Sequence, residues 1–189
     1  MIGLSPRLAT LLALAIVAPA LAAAPAPTGG RFRIDPASHI GFHVGQVGGG
    51  GISGTIPAVS GRFSIDRRDL SRSTVEVELR PASVTTGQAR IDAFLRSGAV
   101  FDAEAHPDIT FRSTRVIPTG PKSATIEGVL TARGQSRNET FQATLAEEGA
   151  DRLAFHVTGD VFRTPYGMGV GTPIYSNVVS FDMQLEGVR

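Results

Sequence analysis

The chain has 189 residues, of which 42% are hydrophobic and 19% charged, with a formal net charge of +1 and neither Cys nor Trp. That length and apolar content suit one globular domain with a sizeable core. The balanced charge excludes the basic surface of a nucleic-acid binder, and the absence of Cys excludes stabilisation by disulfides.

Residues 1–24 have the layout of a secretory signal peptide. Arg7 gives a positive start, Leu8–Leu21 an apolar stretch, and Ala20–Ala22 and Ala22–Ala24 two small-residue cleavage sites. The stretch is short for a membrane span, and no Cys is present to carry a lipid anchor. Cleavage removes Arg7 and no acid, so 18 basic residues become 17 against 17 acids. The expected mature protein is periplasmic, formally neutral and without a transmembrane anchor. Residues 25–30 (PAPTGG) read as a flexible lead-in. Residues 31–189 are expected to form the one folded domain.

From Arg31 onward, apolar and polar residues alternate with period two. Phe32 and Ile34 come first, then Ile40, Phe42 and Val44. After the glycine run Gly48–Gly51 come Ile52 and Ile56, then Val59, Phe63 and Ile65, then Val75, Val77 and Leu79. Each reads as a half-buried strand. Thr85–Phe111 breaks the pattern. Thr85 and Gln88 stand at capping-box spacing. Ile91, Phe94 and Leu95 form a helical apolar stripe, and Asp92 and Arg96 are placed to pair on the helix surface. Gly98 reads as the left-handed residue that ends the helix. Strand period returns at Ile109 and Phe111 and runs on through Ile126 and Leu130, Phe141 and Leu145, Phe155 and Val157, and Phe181 and Leu185. Pro118–Pro121, Glu147–Asp151 and Thr164–Pro173 read as turns.

The expected fold is therefore all-β: an antiparallel, lipocalin-like barrel of about eight strands with one helix inserted in mid-chain. Closing the sheet buries its apolar face and removes its edges. An outer-membrane barrel has the same alternation turned inside out. With no Trp and only Tyr166 and Tyr175, however, the chain cannot build an aromatic girdle.

The helical stretch also carries a resemblance. Arg90-x-Asp92-x-x-Leu95-Arg96-Ser97, followed by Phe101-Asp102 and His106-Pro107-x-Ile109-Thr110-Phe111, resembles the central motif of the YceI-like polyisoprenoid-binding family. Arg31–His39, Gly128–Arg133 and Phe162–Met168 match it in the same order. The resemblance covers roughly Arg31 to Glu186. It implies a barrel with an isoprenoid chain inside. Phe94 and Gln46 depart from positions where His is common in the family, which implies a more apolar ligand end.

Candidate site residues follow from the two readings together. Phe42, Phe63, Phe111, Phe155 and Phe181 lie on apolar strand faces, with Phe94, Leu95 and Phe101 on the helix and the turn after it. Two outcomes stay open for them: a packed core, or the lining of a tunnel for an acyl or prenyl chain. Arg163 and Tyr166 would offer a cation and a hydroxyl to a quinone or phosphate head group.

No chemistry competes with binding. His39 and His43 lie about 13 Å apart along a strand and cannot share a metal. His106 and His156 have no ligand pattern around them, and Ser176 and Thr131 have no base. The expectation is a non-enzymatic carrier with no metal or cofactor and an amphiphilic lipid as its partner; a homodimer is left open. A ligand-free stress-protective or structural barrel and an enzyme on the same barrel are the alternatives.

Overall fold

The computed structural model describes residues 30–189. The expected leader lies outside these residues, as does all of the lead-in except Gly30, which is the first residue of a strand. Ten strands form one antiparallel sheet: β1 Gly30–Ile34, β2 His39–Gly45, β3 Gly51–Thr55, β4 Val59–Ile65, β5 Thr74–Leu79, β6 Ile109–Gly120, β7 Ser123–Ala132, β8 Gln135–Glu148, β9 Arg152–Phe162 and β10 Val178–Val188. The helix α1, Ala89–Arg96, lies between β5 and β6.

The ten strands make eight staves. β1 and β2 share one edge of β10, β1 pairing Arg33 with Val188 and β2 pairing His43 with Ser180. They are two halves of one stave, broken at Asp35–Ser38, where the Asp35 carboxylate accepts from Ala37 N at 2.9 Å. β3 and β4 are likewise two halves, pairing with β2 and β1 respectively. Their break falls at Pro57, which has no N–H to offer a ladder. The β1–β10 pairing closes the barrel, so the period-two apolar face of every stave turns inward.

The up-and-down path sorts the connections by end. Segments 46–50, 80–108, 133–134 and 163–177 gather at one end, which α1 crosses; segments 66–73, 121–122 and 149–151 gather at the other. The second end is filled. Phe32 stacks on Phe63 at 5.2 Å between ring centroids, and Phe63 meets Phe155 edge-to-face at 5.5 Å. Outside, charges pair in the way the alternation requires, as Arg62 does with Glu76 at 2.6 Å.

Three local expectations are overturned. The first concerns β6, which does not end before Pro118. It runs on to Gly120, with register shifts at Ser113/Arg115 and Pro118/Gly120 that accommodate the proline.

The second concerns the start of α1, where Thr85 and Gln88 form no capping box. Gln88 is the cap residue without a side-chain bond. Instead the Asp92 carboxylate, buried rather than on the surface, reaches back to accept from Thr86 N (2.7 Å), Thr86 Oγ1 (2.7 Å) and Thr85 Oγ1 (3.3 Å). Arg96 turns to the Val84 carbonyl rather than pairing with Asp92.

The third is the helix stop. Ser97 holds it, with its N–H and hydroxyl both donating to Phe94 O, and the left-handed residue after the helix is Asp102 rather than Gly98.

Candidate ligand cavity

Toward the end crossed by α1, the staves do not meet. They enclose a cavity of about 240 Å³ with an almost wholly apolar lining. Its walls include Phe42, Val77, Phe111, Phe141, Val157 and Phe181 from the strands. Leu95, Val100 and Phe101 close it from the α1 side, and Met168, Val170 and Tyr175 from the segment between β9 and β10. Phe94 and Val170 line the cavity and are also 44% and 43% exposed, so they mark its lip.

At this end three aromatic rings lie close against the wall, and no further ring stacks on them as Phe32 does on Phe63. A Cβ on Gly54 would stand 2.7 Å from the Phe42 ring, on Gly128 2.5 Å from the Phe111 ring, and on Gly159 2.5 Å from the Phe141 ring. Each ring therefore occupies the space over a strand glycine instead of reaching the axis. Phe141 also meets Phe111 and Phe181 edge-to-face, which fixes the three rings in place.

The sequence-predicted residues divide between the two ends. Phe42, Phe94, Leu95, Phe101, Phe111, Phe181, Arg163 and Tyr166 all stand on the cavity wall. Phe63 and Phe155 do not. They belong to the filled end, where the stacked ring of Phe32 takes the space a ligand would need. The alternation puts all of these rings on the inner face, but it carries no signal of their height along the barrel.

Arg163 and Tyr166 are placed differently from a head-group pair. Arg163 is only 7% exposed and sits in a cage of carbonyls. Its Nε donates to Ser176 O at 2.7 Å, its Nη1 to Met168 O and, at 2.9 Å, to Val170 O, and its Nη2 to Tyr175 O at 3.3 Å. Burial pushes its pKa down from the usual arginine range, and the carbonyl dipoles offset the loss of water. Tyr166, 1% exposed, donates its hydroxyl to Glu139 Oε1 at 2.8 Å. Burial, with that carboxylate beside it, pushes the phenol well above its ordinary value. The polar atoms of both side chains thus already have partners within the protein.

Two braces at this end were not foreseen. Arg133, itself in a left-handed conformation, donates to Gly98 O (2.8 Å), Val100 O (3.2 Å) and Gly167 O (2.7 Å). It ties the turn after α1 to the segment after β9. Asp92 does the same on the other side, because Thr85 pairs through its backbone with Thr55 at the outer edge of β3. The hydrogen bonds from Thr86 hold the Asp92 carboxyl below the usual carboxylate range. The Arg133 brace joins residues far apart in sequence, whereas the Asp92 bonds are local and reach β3 only through the Thr85–Thr55 pairing.

Among the described residues, no three His, Asp or Glu side chains group closely enough to hold a metal ion. His43 pairs with Ser53 at 2.8 Å and His156 with Asp182 at 2.9 Å. What the cavity can do chemically is enclose an apolar chain.

Residues 32–187 match the model of the YceI-like domain family. A UPF0312 protein of Pseudomonas putida strain F1 is 32% identical over 157 residues, covering 80% of this chain and 78% of its own. A UPF0312 protein of Pseudomonas fluorescens is 31% identical over 160 residues, covering 79% of this chain and 81% of its own. Among solved structures, BcnA of Burkholderia cenocepacia superposes with a TM-score of 0.75 at 22% identity, over 81% of this chain and 98% of its own. A polyisoprenoid-binding domain from Saccharophagus degradans superposes with a TM-score of 0.68 at 14% identity, over 85% of this chain and 98% of its own. At these identities the two structures speak for the fold.

Proposed function

The chain belongs to the YceI-like family, and on that premise we propose that it is a periplasmic binding protein that carries a long isoprenoid, or a similar amphiphile such as a quinone. The observation that carries this reading is the cavity: apolar, enclosed by the barrel, and open at the lip formed by Phe94 and Val170. A barrel evolved only for stability would fill that space, because protein interiors are close-packed and each void forfeits contacts. The polyisoprenoid-binding description of the Saccharophagus degradans domain supports the ligand class, and the leader-like residues 1–24 support export.

Binding of this kind needs no directional chemistry. Each CH₂ moved from water into the cavity contributes about 0.8 kcal/mol. The head group stays at the lip, because the polar atoms of Arg163 and Tyr166 already have partners within the protein. The test is a titration of delipidated protein with polyprenyl alcohols of increasing chain length. Affinity rises with each added unit until the cavity is full and is constant thereafter. An affinity independent of length, or no binding at all, contradicts the reading.

A further inference from the structure

Among the described residues, the large apolar side chains left exposed are Val47, Phe94, Phe162, Val170 and Ile174. Scattered exposed apolar residues are ordinary, but these are not scattered. Phe94 and Val170 form the lip of the cavity. Val47 N donates to Ile174 O at 2.9 Å, next to the bridge between Gln46 and the cavity residue Tyr175. Phe162 is the last residue of β9, at the same end of the barrel. Among the described residues, the opposite end exposes no large apolar side chain.

Three of these five residues, Val47, Val170 and Ile174, also lie in stretches without charge. Nineteen per cent of the chain is charged, yet residues 36–61 and 164–181 contain no Asp, Glu, Lys or Arg. These two runs supply two of the four connections at the open end, 46–50 and, apart from the caged Arg163, 163–177; the segment 80–108 at the same end carries Arg80, Arg90, Glu104 and Asp108. The loops at the opposite end carry Arg67, Arg68, Lys122 and Asp151. The part of the open end built from 46–50 and 164–177 can therefore leave water at little electrostatic cost.

We propose that the open end is a membrane-docking surface, through which Val47, Phe94, Val170 and Ile174 enter the outer part of a lipid bilayer and bring the cavity lip into contact with the lipid phase. The proposal rests on the lipid-carrier reading, which supplies its physical reason. A chain crossing water between bilayer and cavity would lose about 0.8 kcal/mol for every exposed CH₂. A lip seated in the bilayer removes that barrier. Val47, Val170 and Ile174 on uncharged loops, with Phe94 on α1 beside the lip, suit shallow, reversible insertion. They are too few for a stable protein interface, which engages roughly 20–30 residues a side. Arg90, exposed one helical turn before Phe94, lies on the same side of α1 and suits the headgroup layer.

The absence of Trp from the chain makes a direct test available. Ile174→Trp places a single reporter on the proposed surface, and Ala150→Trp places one in an exposed turn at the opposite end. Each delipidated variant is mixed with phosphatidylethanolamine/phosphatidylglycerol vesicles at low and high salt. The Ile174→Trp emission is expected to shift to the blue at both salt concentrations and to be quenched by brominated acyl chains, while Ala150→Trp does not respond. Adding Val170→Asp to Ile174→Trp is expected to abolish the shift, with the melting temperature checked alongside. A shift lost at high salt overturns the proposal in favour of adsorption through surface arginines. A shift that follows protein concentration without vesicles overturns it in favour of contact between two copies. No response to vesicles from a protein that still co-purifies with lipid overturns the docking surface and leaves the carrier reading standing.

Discussion

Val157 and Ala143 face each other across β8 and β9, and both side chains are buried. Val157 stands on the cavity wall and Ala143 does not. Phenylalanine at the two positions should therefore have opposite consequences. An apolar cavity of about 150 Å³ admits a benzene molecule, so a space of about 240 Å³ accommodates a phenyl ring from position 157. Val157→Phe is expected to change the stability of the ligand-free protein by less than about 1 kcal/mol. Ala143→Phe drives the same ring into filled space and should cost about 1–3 kcal/mol. Ligand binding should show the reverse emphasis. The new ring at 157 takes more than half of the cavity and displaces at least one five-carbon unit of an isoprenoid. At about 0.8 kcal/mol per CH₂, that is roughly 4 kcal/mol, or close to a thousandfold in affinity. The assay pairs thermal melting of delipidated protein with the lipid content of freshly purified protein. If Val157→Phe melts as low as Ala143→Phe and the wild type carries no lipid, the barrel is filled in solution and the carrier reasoning fails.

Arg163→Met should lower stability by about 2–4 kcal/mol, because it strips charged donors from four carbonyls, one buried and three partly buried. Limited proteolysis should then cut within 168–176, and unchanged melting and cleavage would show that the cage is not what orders that segment. Asp92→Asn should lower the melting temperature at neutral pH. The folded carboxyl is held below its ordinary value of 3.8, so its contribution is complete above that value and disappears as the pH falls through the folded one. The gap between variant and wild type should close in that acidic range, and a gap that stays constant with pH would show that ionisation is not its source. N-terminal sequencing of the protein from the periplasmic fraction should begin at Ala23 or Pro25; an exported chain that retains Met1 contradicts the leader.

Period-two alternation was enough to read the barrel, because a closed antiparallel sheet turns every second side chain inward whatever the details of its turns. The rise and fall of Val59, Phe63, Val77, Ile126 and Phe181 leaves little freedom. What it does not encode is position along the barrel axis. Phe63 and Phe111 look alike in sequence, yet one is stacked in the filled end and the other lies flat over Gly128 beside open space. Both rings lie over a glycine of another strand, Gly187 for Phe63 and Gly128 for Phe111, and the difference lies in Phe32, whose ring stacks on Phe63. Phe141 shows the same gap: it lines the cavity, and nothing in the alternation says so. Pro118 read as a turn because proline usually ends a ladder, and it is kept within β6 by two register shifts that no local pattern announces. At α1, the spacing of Thr85 and Gln88 suggested one capping device, while the tertiary contact with β3 selected another through Asp92 and Thr86. The lip had a signal that went unused. The long uncharged runs around Val47 and Val170 are visible in the sequence and acquire meaning only when the topology brings them to one end.

The central claim is that the barrel holds an isoprenoid or a like amphiphile, and mass spectrometry of an organic extract of the purified protein tests it most directly. The account predicts a long-chain isoprenoid or quinone-type lipid near one molecule per barrel in wild type, absent from Val157→Phe purified in parallel. A wild-type extract no richer in lipid than that of the blocked variant would contradict it.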